Sequence, residues 1–252
     1  MIEAALVEPG NVVSSQLLFM IRAEVALREF RRWMGMRRLQ DADHAMHCLL
    51  TESFGEQAPR PFRLIMPRDQ ARGVLYGYTR VEDNDLRGAA VAFADPAQVR
   101  ILPPDRIASK PMPVEWRPGR QLGFEVRIRP TARRSRNADC RPGKECDAFA
   151  LQASRYARGE MPHSREAVYA DWLTGQFDRR GGAQLHRGRT KLVSFRRTRA
   201  VRKRHARYSE GPDAVMRGVL TITDPPAFSN LLANGIGRHR AYGYGMLLLR
   251  PA

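Results

Sequence analysis

Two histidines, His44 and His47, stand three residues apart in the segment Asp41-Ala-Asp-His-Ala-Met-His-Cys-Leu-Leu50. On a helix that spacing puts both rings on one face. An imidazole takes up or gives back a proton near neutral pH, so the pair suits general acid–base work. On RNA, a base would take the proton of a 2′-hydroxyl, its oxygen would attack the adjacent phosphorus, and an acid would protonate the departing 5′-oxygen. Two blander readings stay open on spacing alone. One ring is partly buried and the other solvated, or the two are zinc ligands, for which an i, i+3 pair is a weak signal.

A second stretch with chemical content is Asn234-Gly-Ile-Gly-Arg-His-Arg-Ala-Tyr-Gly-Tyr-Gly245, which runs into the apolar Met246-Leu-Leu-Leu249. Gly235, Gly237, Gly243 and Gly245 permit positive φ and close approach of backbone N–H groups to a ligand. Arg238, His239 and Arg240 between them make that ligand an anion, most simply a phosphodiester. A tight turn before a final strand is the plain alternative. Basic residues also cluster over 127–141, with Arg133, Arg134, Arg136 and Arg141, and over 196–207, with Arg196, Arg197, Arg199, Arg202, Lys203 and Arg204. One such run is ordinarily a solvated face. Several in one chain repel one another unless a polyanion is bound, and arginine offers phosphate a bidentate fork.

The whole chain agrees with that reading. Its 252 residues carry a formal charge of +17 at pH 7, an excess that favours polyanionic partners. No apolar run reaches transmembrane length, and Met1-Ile-Glu-Ala-Ala lacks the layout of a signal peptide, so a cytoplasmic protein with no membrane partner is expected. The three cysteines, Cys48, Cys140 and Cys146, form no C-x-x-C pair and are expected to be reduced thiols. Neither a phosphate-binding G-x-x-x-x-G-K-[ST] motif nor a paired acidic motif for Mg²⁺ is present, and no cofactor or metal is expected.

These residues need elements to position them. Leu17 to Val25 reads as a strand, and Phe30 to Phe54 as helical with a break near Gly35 and an N-cap at Asp41. Phe62 to Met66 and Val74 to Thr79 read as strands. Proline punctuation from Pro96 to Pro118 suggests a boundary near residue 115, giving domains 1–115 and 116–252. Gln121 to Pro130 alternates as a half-exposed strand with a basic face of Arg127 and Arg129. Residues 131–190 read as a basic helical insertion, with helices over Asp147 to Arg158 and Ser164 to Phe177. Lys191 to Phe195 and Met216 to Ile222 are strands, and a helix starts at Asp224-Pro-Pro. The order predicts an α+β protein of two tandem ferredoxin-like (RRM-like) domains.

Three segments together resemble the CRISPR repeat-RNA endoribonucleases, the CasE-type enzymes of type I-E systems above all. They are Met46-His47-Cys48-Leu49-Leu50 with Phe54 downstream, Gly218-Val-Leu-Thr-Ile-Thr-Asp-Pro-Pro-Ala-Phe228, and the glycine-rich loop with its terminal strand. Glu166 to Leu173 is also similar to a short Trp-Leu helix in that family. The likeness follows most of the chain in order. It implies a catalytic role for His47, an assisting role for His44 where relatives often carry tyrosine, and a phosphate-clamping role for residues 234–245. The basic insertion is similar to the related processing enzyme of type IV systems. Some relatives rely on arginines for transition-state charge, which brings in Arg22, Arg38 and Arg238. The implied function is metal-independent cleavage of precursor crRNA at the base of the repeat hairpin. The protein would then stay on the crRNA as a subunit of a Cascade-like effector complex. A non-catalytic crRNA-binding subunit is the alternative, and a general RNA chaperone a third class.

Overall fold

The computed structural model describes residues 17–133, 145–157, 159–200 and 209–252. The chain begins with β1 (Phe19–Ala26), which passes directly into α1 (Leu27–Met36) and then α2 (Ala42–Phe54). Next come β2 (Phe62–Ile65), β3 (Arg72–Thr79), α3 (Asp83–Phe93), α4 (Pro96–Ile101) and β4 (Ile107–Pro111). The four strands make an antiparallel sheet in the order β2-β3-β1-β4. Alternate residues of a strand face opposite ways, so Phe19, Ile21, Ala23 and Val25 of β1 enter one core with Met46, Leu49, Leu50 and Phe54 of α2.

The second part contains β5 (Gln121–Ile128), β6 (Thr131–Arg133), β7 (Glu145–Asp147), α5 (Ala148–Ala153) and α6 (Arg165–Arg180). It continues with β8 (Ala183–Leu185), β9 (Lys191–Ala200), β10 (Ser209–Ile222), α7 (Pro225–Asn234) and β11 (Leu247–Arg250). Its sheet runs β11-β5-β10-β8, with β9 also paired to β10. In the first sheet β1 lies between β3 and the last strand, and in the second β5 lies between β10 and the last strand, the arrangement that a β-α-β-β-α-β unit gives, with one strand added in the second. The α+β, tandem ferredoxin-like architecture is therefore repeated within one chain.

Four local readings change. The proline-rich stretch is not bare punctuation. Asp95 caps α4 through Ala97 N and Gln98 N in a reciprocal capping box, Pro96 takes the first helical turn where its missing N–H costs nothing, and β4 is an edge strand. The helix α6 serves as the crossover after β5, burying Val168, Leu173 and Phe177 in the second core, where Phe177 meets Phe124. The extra segment before it contains the β6–β7 ribbon and α5. The basic face of β5 is not half-exposed: Arg127 and Arg129 are buried, Arg127 paired with Asp43 from the first part of the chain and with Asp213 of β10, and Arg129 bonded to Thr198 of β9. Finally, Cys146 is disulfide-bonded rather than reduced, Cys48 is free, and Cys140 lies outside the described residues. The expectation of thiols rested on compartment, which governs whether a disulfide persists and not whether the fold permits one.

The two sheets are tied together internally. Tyr78 of β3 is fully buried in the core of the second part, and its hydroxyl donates to the Leu247 carbonyl of β11 at 2.9 Å.

Candidate functional site

The chain breaks helix between Met36 and Ala42, where Arg38 takes a positive φ of 55°. Asp41 then restarts it, its Oδ1 accepting from the N–H of Asp43 at 2.9 Å and of His44 at 3.4 Å. The apolar side of α2 is in the core, which leaves His44 and His47 half-buried on the opposite side. Both rings meet the edge of Tyr242, with centroids 6.0 Å and 5.0 Å away respectively. Burial pushes the His47 pKa below the ordinary histidine value, and the charges of Arg60 and His44 push it the same way. Its imidazole is thus neutral at neutral pH, the form a general base requires. Arg60 is held there by a 2.8 Å hydrogen bond to Thr51, one helical turn beyond His47.

Tyr242 comes from the glycine-rich segment after α7. That segment is closed at its base: Ile236 N–H donates to the Gly245 carbonyl at 2.8 Å, and Gly245 N–H donates to the Arg127 carbonyl at 2.7 Å. Gly245 has φ 79°, and a Cβ there would collide with the Ile236 carbonyl, so both conformation and space demand glycine. The N–H groups of Gly235, Ile236, Tyr242 and Gly245 are all satisfied within the protein, which narrows the phosphate clamp expected from this backbone. Arg238 and His239 are both drawn to Glu145 of β7, each at 2.8 Å, and the His239 side chain is buried. Glu145 thus fastens the inserted ribbon to the loop. Arg240 donates to the Asn234 carbonyl at 2.6 Å.

Two open clefts flank Tyr242. One, of about 610 Å³, is lined by Arg60, Asn234, Arg238 and Arg240 together with Tyr242. The other, of about 620 Å³, lies between the two parts of the chain and is lined by Asp43, Arg63, Arg127, Arg196 and Tyr244 as well as Tyr242. At its floor, Arg127 donates to both Asp43 carboxylate oxygens, at 2.7 and 2.8 Å, and to both Asp213 oxygens at 2.7 Å. The same guanidinium lies over the Tyr244 ring, 4.2 Å from its centroid. Burial alone would lower the Arg127 pKa, but Asp213 and Asp43 hold it above its ordinary value. Burial opposes ionisation of Asp213 too, yet hydrogen bonds from Arg127 and Arg196 bring its carboxyl below the usual range.

Of the residues expected from sequence, His44, His47 and the loop 234–245 converge on one place. Arg38 is exposed in the turn after α1 and makes no side-chain hydrogen bond or ion pair within the described residues, whereas Arg22 of β1 sits 4.0 Å from Glu24. Arg196 and Arg197 project from β9, largely exposed, opposite Asp213 and Glu210. Arg199 lies on the same strand, and Arg133 ends β6. Arg134, Arg136, Arg141, Arg202, Lys203 and Arg204 lie outside the described residues. Sequence reading missed Arg60, Asp43, Arg127 and Asp213 as parts of the site. The available signal was an acidic residue, Asp43, immediately before His44. Among the described residues no cluster of three or more His, Cys, Asp or Glu side chains is placed to hold a metal, and no helix is long and apolar enough to cross a membrane.

The fold and site define a class: tandem ferredoxin-like proteins with a histidine-bearing helix packed against a basic, glycine-rich loop. The sequence profile described as "CRISPR associated protein" matches residues 18–251. The chain belongs to that CRISPR-associated protein family. No curated protein matches it in sequence. Among solved structures it is similar to the CRISPR endoribonuclease Cse3 bound to a 19 nt RNA, with TM-score 0.65, 19% identity, and 93% of this chain and 100% of that one covered. It is similar also to the CRISPR-associated protein Cas6e from Escherichia coli K-12, with TM-score 0.53 and 19% identity over 93% and 100% of the two chains. A third likeness is to a chain of a CRISPR RNA-guided surveillance complex, with TM-score 0.55 and 15% identity over 93% and 100%. At these identities the likenesses establish the fold.

Proposed function

We propose that this protein is an endoribonuclease that cuts the repeat hairpins of precursor crRNA and remains on the product as a subunit of a Cascade-like complex. The observation that carries the reading is His47: a half-buried imidazole with a depressed pKa, set against Tyr242 at the meeting of α2 and a basic glycine-rich loop. Family membership and the likeness to an RNA-bound Cse3 make RNA the substrate this geometry suits.

In the proposed reaction His47 takes the proton of the 2′-hydroxyl at the cut site. The 2′-oxygen bonds to phosphorus and the bond to the 5′-oxygen breaks. The products are a 2′,3′-cyclic phosphate, which opens to a 3′-phosphate on hydrolysis, and a 5′-hydroxyl once that oxygen is protonated. His44, which shares the Tyr242 ring with His47, would supply that proton, and Arg60, Arg238 and Arg240 line the cleft where the phosphate charge would grow. This chemistry calls on no metal ion. Exposed Arg196 and Arg197 on β9 extend the basic surface for the hairpin stem, whose deep major groove favours recognition by shape and phosphate contact.

The test is incubation of the purified protein, in EDTA, with a labelled repeat hairpin from the CRISPR array of the same genome. One cut at the stem base is expected, with His47→Ala abolishing it and leaving binding within a few-fold. Tight binding without cutting by the native protein would replace the enzyme with a crRNA-binding subunit. Equal affinity for unrelated hairpins at matched salt would leave a general RNA binder.

A further inference from the structure

Arg127 bonds both to the first turn of α2 and to the base of the glycine-rich loop. Its side chain grips Asp43, the residue before His44, through two parallel N–H···O contacts of 2.7 and 2.8 Å. Its backbone carbonyl accepts from Gly245 N–H at 2.7 Å, and its guanidinium donates to the Tyr244 hydroxyl at 3.2 Å and lies over that ring. Tyr244 is two residues from Tyr242, the ring that touches both histidines. The remaining edge of Arg127 is held by Asp213 on β10, whose second partner is Arg196, a largely exposed arginine of β9.

A charge this deeply buried, with its side chain only 5% exposed, would be unfavourable for stability alone; an apolar group of similar size often serves a core as well or better. A planar guanidinium bonded bidentately on two edges does something an apolar group cannot, since it fixes the direction of each partner as well as its distance. We propose that Arg127, Asp43 and Asp213 form a positioning unit that sets His47 against the glycine-rich loop, and that Arg196 connects this unit to the surface where RNA lies. None of these residues need touch the reacting atoms.

The proposal rests on the reading of His47 as the reacting base, so the experiment includes a readout independent of cutting. Asp43→Asn keeps the side chain's shape and one acceptor oxygen while removing its charge, at a partly exposed position that Arg127 can still reach. Single-turnover cleavage at saturating repeat RNA is expected to fall at least tenfold, with the RNA Kd within about twofold, because the loss is in placement and not in binding. By NMR on the full-length protein without RNA, the His47 ring protons are expected to move away from the shift imposed by the Tyr242 ring. Arg196→Gln, on the exposed arm, is expected to weaken RNA binding and to leave that His47 resonance unchanged in the free protein. A wild-type cleavage rate for Asp43→Asn, or an unmoved His47 resonance in it, would overturn the proposal. If the native protein does not cut at all, the functional reading fails, while the His47 resonance still decides whether Asp43 positions the helix.

Discussion

Replacing Gly245 by alanine tests how far the site depends on the loop's own geometry, and Gly119 supplies a matched control. Both residues have φ 79°, so alanine meets the same backbone penalty at each, roughly 1–2 kcal/mol for an L-residue held in the left-handed region. Around Gly119 nothing lies within 4 Å of the added methyl. At Gly245 the methyl overlaps the Ile236 carbonyl, and the Ile236 C and N atoms are 3.0 Å away. Relieving the overlap must part the two strands of the loop, which carries off the bonds from Ile236 N–H to Gly245 and from Gly245 N–H to Arg127. Two hydrogen bonds at about 0.5–1.5 kcal/mol each, added to the backbone term, give roughly 2–5 kcal/mol for Gly245→Ala. The control should lose only about 1–2 kcal/mol. Denaturant unfolding of both variants measures the difference directly. Cleavage of the repeat hairpin is expected to be normal in Gly119→Ala and lost in Gly245→Ala, since the same movement takes Tyr242 away from His47. Equal destabilisation of the two variants, or full cleavage by Gly245→Ala, would refute the reasoning.

Other perturbations follow from single contacts. Arg60→Gln removes one of the charges that lower the His47 pKa, so that pKa rises toward the ordinary value. A base must be unprotonated, and the acid limb of the kcat/KM profile should therefore shift to higher pH, with the maximum lowered because Arg60 also leaves the phosphate cleft; an unshifted limb would remove His47 as the group that titrates. Tyr78→Phe leaves the packing in place and deletes the bond to the Leu247 carbonyl, which should cost about 1–3 kcal/mol in denaturant unfolding without changing the cut site. Binding of the repeat hairpin should weaken steeply with added salt, and neutralising exposed Arg197 should flatten the logarithmic slope by about one unit, measured by titration at several salt concentrations.

Much of this arrangement was legible from local pattern. The Asp41 cap, the apolar side of α2, the two histidines on its other side, and the Asp224-Pro-Pro start of α7 are each fixed by residues within a turn or two of one another. The helix α3 was not legible, because only Leu86, Ala89 and Ala90 of it are buried and two of those are small. In α4 and β4 the prolines masked structure that they in fact begin and end. The fate of Arg127 lay further still from local reading: its alternation in β5 is that of a solvent-facing arginine. What makes it a buried one is a pair of carboxylates 84 and 86 residues away, one on each side in sequence. Charge patterning along a strand cannot distinguish a face that meets water from a face that meets its counter-charges.

The contact between His47 and Tyr242 also carries a consequence for the nascent chain. The histidine helix is synthesised early and the loop that completes it only after nearly the whole of both sheets. A partly made chain holds the imidazoles but lacks the tyrosine, the glycine turn and the strand that seats them. On the ribosome the pair can form only once the loop has emerged, with nearly the whole of both sheets already made. A protein proposed to cut RNA would thus be translated from RNA in an inert form, and competence would arrive with the last elements to dock.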